Sequence, residues 1–248
     1  MAGFKDFVKS VSDGFSQMLF PQGITCFSCG GELCGNEQNN LCAKCPVVYN
    51  KNFCTRCGRA IGNMAQYCQQ CFAHGTYHFE YARSAVEFNE TAKRLIHWFK
   101  YGGAKYLNSF LAEFMNETLN TCFEPPDILT FVPLHKKRLR KRGYNQAELL
   151  ANALSVSTAI QVLPLLQKTA HTKNLAKLDR KGRAAAIQDT FSFCGEKSLI
   201  KNKSVLLIDD VLTTSATTDE CARVLKAAGA QQVTVLTFAS VQYKAKIN

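Results

Sequence analysis

The spacing of apolar positions changes along this chain, and each change marks an element. Phe4, Phe7, Val8, Val11, Phe15, Met18 and Leu19 recur every three or four residues, which lines one face of a helix. Pro21 and Gly23 end it. Its polar face carries only two lysines, Lys5 and Lys9, so a helix packed on its own protein is favoured over a membrane-surface helix. From residue 84 strand and helix periods alternate. Residues 84–88, 128–132, 204–208 and 232–239 read as strands. Residues 90–100, 105–119, 145–154 and 218–228 read as helices, with Ala92, Leu95, Ile96 and Phe99 facing inward on the first. Leu107, Phe110, Leu111, Phe114 and Met115 do so on the second. Strands separated by helices predict an α/β domain with a mainly parallel sheet covered on both faces.

Composition sets the frame around that pattern. The 248 residues suffice for a sizeable core, and 46% of them are hydrophobic, which excludes a disordered chain. No apolar run approaches the roughly 20 residues of a membrane span. Lys5, Asp6, Lys9 and Asp13 interrupt any secretion-signal core, so the cytoplasm is the expected compartment.

Cysteines divide the chain. Nine of the twelve lie before residue 72, and eight of those form Cys-x-x-Cys pairs: Cys26/Cys29, Cys42/Cys45, Cys54/Cys57 and Cys68/Cys71. Each pair is a knuckle that offers two thiolates, and two knuckles complete a tetrahedral zinc site with no position left for a substrate. Gly30 and Gly58 follow two of the knuckles and ease their turns. Sequential pairing gives one ion Cys26, Cys29, Cys42 and Cys45, and a second Cys54, Cys57, Cys68 and Cys71. A cross-braced pairing or a single filled site stays open. The alternative of disulfides requires an oxidising compartment. Cys34 is a bystander. His74 and His78 lie just outside a complete set. Cys122, Cys194 and Cys221 stand among apolar neighbours and read as small buried hydrophobes. The segments are therefore an N-terminal helix (1–22), a double zinc ribbon (23–78) and an α/β domain (79–248).

The net charge of +11 is concentrated. Residues 1–80 hold six Lys+Arg against five Asp+Glu, and the rest of the chain holds 24 against 14. Lys136, Lys137, Arg138, Arg140, Lys141 and Arg142 fall within seven positions without an acid. Lys168, Lys173, Lys177, Arg180, Lys181 and Arg183 form a second run, with Asp179 alone opposing. Such runs are often solvated faces, but two of them beside a phosphate site make a polyanion track, and Trp98, Phe99, Tyr101 and Tyr144 are interleaved nearby.

The phosphate site is read from Val205-Leu206-Leu207-Ile208-Asp209-Asp210-Val211-Leu212-Thr213-Thr214-Ser215-Ala216-Thr217. Four apolar residues run into two acids, a hydroxyl-rich loop and a helix start. The unpaired N–H groups and positive dipole of a helix N-terminus suit a phosphate. Asp209 and Asp210, at the carboxyl end of a strand, repel phosphate but suit hydroxyls or a divalent cation. Phosphate beside a diol describes a ribose phosphate.

This segment resembles the phosphoribosyl pyrophosphate (PRPP) loop of type I phosphoribosyltransferases, Asp-Asp-x-x-Thr-Thr-Gly-x-Thr, except that Ser215 replaces the glycine. The stretch Phe131-Val132-Pro133-Leu134-His135 through Arg142-Gly143-Tyr144-Asn145-Gln146-Ala147 resembles the Val-Pro-Leu-His … Arg-Gly-Phe/Tyr-Asn-Gln-Ala motif of the ComF family of competence and DNA-utilisation proteins. Phe99-Lys100-Tyr101-Gly102-Gly103 is similar to that family's Lys-aromatic-x-Gly turn, in the place of the pyrophosphate loop. A further family element, Thr-x-x-Gln … Glu-Arg-x-x-Asn, is matched only loosely over residues 172–183.

The resemblance implies a phosphoribosyltransferase-like fold behind the zinc segment. Asp209 and Asp210 would hold ribose hydroxyls or Mg²⁺ waters. Val211, Leu212, Thr213, Thr214, Ser215, Ala216, Thr217 and Lys100 would bind PRPP, with Thr213 through Thr217 seating its 5′-phosphate and Lys100 its pyrophosphate. It implies handling of single-stranded DNA on the 136–142 run during uptake, alongside proteins of the uptake machinery. Two other readings remain: an active transferase with an acceptor the sequence does not name, and a zinc-ribbon interaction protein with an inactive second domain.

Overall fold

The structure is a computed structural model that describes residues 25–33, 40–61, 65–74, 76–170, 182 and 186–241. The expected N-terminal helix, Cys34, the side chain of His74 and most of the second basic run lie outside these residues. Chain contacts define two compact units, Met1–Val47 and Val48–Asn248. The first tetracysteine set belongs to the smaller unit, and the second set to the same unit as the α/β sheet.

The larger unit is ordered α1 (Gln69–His74), β1 (Ala82–Glu87), α2 (Glu90–Tyr101), α3 (Leu107–Cys122), β2 (Ile128–Phe131), α4 (Lys136–Arg142), α5 (Gln146–Thr158), β3 (Leu166–Lys168), β4 (Phe191–Phe193), α6 (Lys197–Ile200), β5 (Ser204–Leu212), α7 (Ala216–Ala227) and β6 (Gln232–Ser240). Four strands form one sheet in the order β1-β6-β5-β2, every pair parallel. The expected parallel sheet is therefore present. Its long strands β5 and β6 are buried along most of their length, as near-continuous apolar strands of a parallel sheet should be. Helices α3 and α5 pack on one face and α7 on the other.

Alternation along β5 decides which face each residue serves. Val205 and Leu207 join the core cluster that includes Cys221, Ala222 and Leu225 of α7. Because successive strand residues point to opposite faces, Leu206 and Ile208 serve the α3/α5 face. The short antiparallel pair β3–β4 was not expected from the sequence; three-residue strands carry too little periodicity to read. It covers the α7 side, where Leu166 and Phe191 enter the same cluster.

Element ends follow local chemistry. Asn89 caps α2 by accepting from Ala92 N at 2.9 Å. His135 caps α4 through Lys137 N, and Gly143 ends it at φ 82°. Asn145 caps α5 through Ala147 N at 3.1 Å. Strand β5 runs four residues beyond the expected end, and α7 starts two residues early. Ala216 and Thr217 are thus the first turn of a helix rather than loop.

The knuckle segment docks on the edge strand β1. Ala82 N donates to Arg56 O at 2.9 Å, and Arg83 Nη1 donates to Thr55 O at 2.8 Å. Asn50 Nδ2 donates to Gly58 O at 2.8 Å, and Ala60 N to Ser240 Oγ at 3.1 Å. Gly58 sits at φ +68°, and a Cβ there would lie 2.3 Å from Ala82 O. Only glycine permits this approach.

Candidate functional site

The two acids stand near the end of β5, one on each face. Asp210 points away from the α7 side and meets Lys100, with Nζ to Oδ2 at 2.8 Å. Asp209 points to the α7 side. There its charge is felt by Cys221 and by Lys168 of β3. Burial, and then the neighbouring charge of Asp210, push the Asp209 carboxyl up to about 7; Lys100 opposes that rise. Asp210 N donates to Asp209 Oδ1 at 2.9 Å. The sequence offered the acids as a single pair, whereas the strand turns them to opposite faces: Lys100 contacts Asp210, and both Lys100 and Lys168 act on the charge of Asp209.

Lys100 is held in place by the segment that carried the family resemblance. Tyr144 Oη donates to Phe99 O at 2.6 Å, and Gln146 Nε2 reaches the same carbonyl at 3.4 Å. Asn145 Nδ2 donates to Val132 O at 3.0 Å, which ties the start of α5 to the end of β2. Tyr144 and Gln146 thus satisfy the Phe99 carbonyl in the last turn of α2, next to Lys100. They act by building the site, a role the motif alone did not reveal.

The loop after β5 turns sharply. Leu212 is buried, so its side chain faces the core and only its backbone is offered to a ligand. Thr213 is exposed, and Thr214 is half-buried. Ser215 adopts φ 62°, ψ −1°, the left-handed region that glycine occupies in the resembled loop. It is 4% exposed, and its Oγ has no partner. Its carbonyl accepts from Asp219 N at 2.8 Å and Thr218 Oγ1 at 3.0 Å, which opens α7. The N–H groups of the first turn, at Ala216 and Thr217, therefore point out of the helix start. His78 N and Nδ1 reach Asp219 Oδ1 at 2.6 and 3.1 Å, so His78 serves α7 and stands outside both cysteine groups.

Sequence reading missed Lys168 as a site residue, although it counted its charge. Burial, then the Arg138 charge, lower the Lys168 pKa, while Cys221 and Asp209 raise it. Arg138 of the basic helix is thus electrostatically close to the acid site. On α4, Lys136, Lys137, Arg138, Arg140 and Lys141 are exposed, and none is in an ion pair with a described residue. Arg142 donates to Gln146 and lies over the Tyr101 ring at 5.1 Å. Of the four aromatics expected nearby, Phe99 and Tyr144 are buried and unavailable for stacking. Trp98 and Tyr101 are 48% and 69% exposed. A cavity of about 720 Å³, lined by Asn116, Cys122, Pro125 and Ile160 among others, lies at the amino end of β2. Open α/β sheets bind ligands at the other end.

The cysteines gather in two groups, Cys26, Cys29, Cys42, Cys45 and Cys54, Cys57, Cys68, Cys71, with sulfurs within 4.8 Å of one another in each. The sequential pairing is the one adopted. Cys29–Cys42 and Cys57–Cys68 sulfurs are 3.7 Å apart. Tetrahedral Zn–S bonds of about 2.3 Å would set sulfurs roughly 3.8 Å apart, so both groups fit zinc. In the second group the Cys54–Cys57 contact holds the Cys54 thiol down and pushes Cys57 up. Four crowded sulfurs cannot all ionise without a cation among them. All four residues of that group are buried; in the first, Cys29 is exposed. Of the described cysteines outside these groups only Cys221 is buried. Cys122 is half-buried and Cys194 exposed, contrary to the sequence reading.

A parallel sheet whose central strand ends in two acids and a hydroxyl-rich loop, with a tetracysteine module docked on its edge, defines a type I phosphoribosyltransferase-like protein. No protein-family model matches the chain. Among curated proteins it is 27% identical to Competence protein F of Haemophilus influenzae, over 85% of this chain and 94% of that one. It is 26% identical to Competence protein ComFC of Bacillus subtilis (88% and 86%) and 25% identical to DNA utilization protein YhgH of Escherichia coli (79% and 93%). These relatives, each matched over most of the chain, support the resemblance to the ComF family. Among solved structures it is similar to the glutamine PRPP amidotransferase of B. subtilis, with 17% identity and a TM-score of 0.36 over 62% of this chain and 28% of that one. It is also similar to an adenine phosphoribosyltransferase of Leishmania tarentolae, with 18% identity and a TM-score of 0.34 over 54% and 71%. Among the described residues no helix is long and apolar enough to cross a membrane.

Proposed function

We propose that this protein binds PRPP, or a closely related ribose phosphate, with Mg²⁺ at the end of β5, and receives single-stranded DNA on the face of α4 during DNA uptake or utilisation. One observation carries the ligand reading: a left-handed Ser215 opens α7 after a strand that ends in two acids, one of them paired with Lys100. The first-turn N–H groups and the threonine hydroxyls seat the 5′-phosphate. The carboxylates take the ribose hydroxyls and the waters of Mg²⁺, which keeps several waters when bound. Lys100 exchanges its partner Asp210 for the pyrophosphate.

The DNA reading rests on five exposed cations along α4 that form no ion pair with a described residue, on Arg142 over the Tyr101 ring, and on relatives named for competence and DNA utilisation. Phosphates would neutralise the helix, and exposed aromatics offer a stacking surface. Calorimetric titration with PRPP plus Mg²⁺, and anisotropy titration with a labelled single-stranded oligonucleotide, test the two parts separately. Saturable binding of each is expected. Flat titrations would reject them.

Active phosphoribosyl transfer is the second reading, favoured by the acids themselves. As pyrophosphate leaves C1, positive charge builds on the ribose ring, and fixed carboxylates stabilise it. This reading predicts pyrophosphate release in the presence of an acceptor, lost in Asp210→Asn without loss of fold.

A further inference from the structure

Arg59 is 2% exposed, yet no described carboxylate pairs with it. Its Nη1 donates to Gln70 Oε1 at 2.6 Å, and its Nη2 donates to the carbonyl of Thr213. Both ends of this bridge are informative. Arg59 lies two residues past Cys57, in the turn where Cys54 N donates to Arg59 O at 2.9 Å. Gln70 lies between Cys68 and Cys71. The guanidinium thus spans the two knuckles of the second tetracysteine group. Thr213 is the first residue after β5, two before the left-handed Ser215. A single side chain therefore runs from the cysteine cluster to the backbone of the candidate phosphate loop.

A buried guanidinium keeps its charge and is costly without a counter-charge. The module supplies one when loaded: four thiolates around one dication carry a formal charge of about −2. Closing the two knuckles on a cation also fixes the distance between Arg59 and Gln70. The fork geometry of Arg then fixes where the Thr213 carbonyl sits.

We infer that Arg59 is a positioning residue that couples the second tetracysteine group to the phosphate loop, so that zinc at the cysteines and a phosphorylated sugar at the loop bind cooperatively. This rests on the ribose-phosphate reading above. It makes the second zinc module a support of the ligand site rather than a separate ribbon. Coupling between two sites is reciprocal. If zinc at the cysteines orders the loop, a ligand on the loop must retain zinc.

The test uses the full-length zinc-loaded protein. Zinc transfer to a chromophoric chelator is followed with Mg²⁺ alone and with Mg²⁺ plus saturating PRPP, and PRPP affinity is measured by calorimetry on the same preparation. In the wild type, PRPP is expected to slow release of the more slowly leaving zinc about tenfold, within the usual range of coupling. Arg59→Met should keep two zinc ions per chain, weaken PRPP about tenfold and lose the effect of PRPP on zinc release. Arg59→Lys, which can keep one of the two bonds, should fall between. Gln70→Leu removes the anchor on the knuckle and should reduce the coupling if Arg59→Met does not fold. Wild-type protein that binds PRPP but releases both zinc ions at the same rates with and without it overturns the coupling. Wild-type protein that gives no heat with PRPP overturns the ribose-phosphate reading, and the coupling with it.

Discussion

Lys100 Nζ lies 2.8 Å from Asp210 Oδ2, and this contact joins the last turn of α2 to the end of the central strand. Both side chains are largely buried. Removing either leaves the other charge without its partner in a poorly solvated place. Lys100→Met should therefore destabilise the fold, and Asp210→Asn should do so too. If Lys100 meets the pyrophosphate, Lys100→Met should also weaken PRPP about 10- to 100-fold, in line with a charge-assisted contact of roughly 1.5–3 kcal/mol. A double-mutant cycle on Lys100 and Asp210 should be strongly non-additive in chemical denaturation. Additive losses would show that the two side chains do not act together.

Asp209 makes the site sensitive to pH. Its carboxyl is raised to about 7 in the folded chain, against about 4 when unfolded. Between those values the native state binds more protons than the unfolded state, so its contribution to stability falls as pH rises from about 4 to about 7. The two acids interact and titrate as a pair. Asp209→Asn should flatten this part of the stability profile and raise the melting temperature at pH 8 relative to wild type. PRPP with Mg²⁺ calls for the ionised form, so wild-type affinity should strengthen from pH 6 to pH 8 more than affinity of the Asn variant does. Parallel profiles would remove Asp209 from the ligand site.

Ser215 holds a conformation that suits glycine, with its hydroxyl buried and unpartnered. Left-handed backbone costs a non-glycine residue about 1–2 kcal/mol. Ser215→Gly relieves that strain against a smaller loss from greater freedom of the unfolded chain. The variant should melt a few degrees higher and bind PRPP at least as well as wild type. Ser215→Val, β-branched at positive φ, should lose both stability and binding. Calorimetry of the two variants decides this.

The basic helix should reveal itself through salt. Each phosphate neutralised on a single strand contributes about −0.7 to the slope of log affinity against log salt concentration. Changing Lys136, Lys137 and Lys141 together to Gln should reduce the slope by about 2 and leave PRPP binding unchanged. These residues are exposed and form no described ion pair, so the melting temperature should move little. An unchanged slope would place the DNA elsewhere.

The sheet was legible because β5 and β6 are long apolar runs and because the helices between strands carry clear faces. The cysteine spacing likewise announced two four-sulfur groups, and their grouping matched the sequential pairing. Other features depend on contacts between residues distant in sequence. Nothing local tells Lys168 that Asp209 lies near it, or Arg59 that Thr213 does. The role of Tyr144 and Gln146 at Phe99 O was hidden behind a motif that looks catalytic and is largely architectural. Phe99 and Tyr144 looked available for stacking because aromatic residues read alike whether they pack inward or face solvent. Strand alternation could have separated Asp209 from Asp210 in advance, since consecutive strand residues never share a face.

The most direct measurement is calorimetric titration of the zinc-loaded protein with PRPP and Mg²⁺, repeated on Asp210→Asn and on a variant with Thr213 and Thr214 changed to Val. The account predicts saturable binding near one site per chain in the wild type, with each variant folded and at least tenfold weaker. Binding that is absent from the wild type, or that survives unchanged in both folded variants, would contradict it.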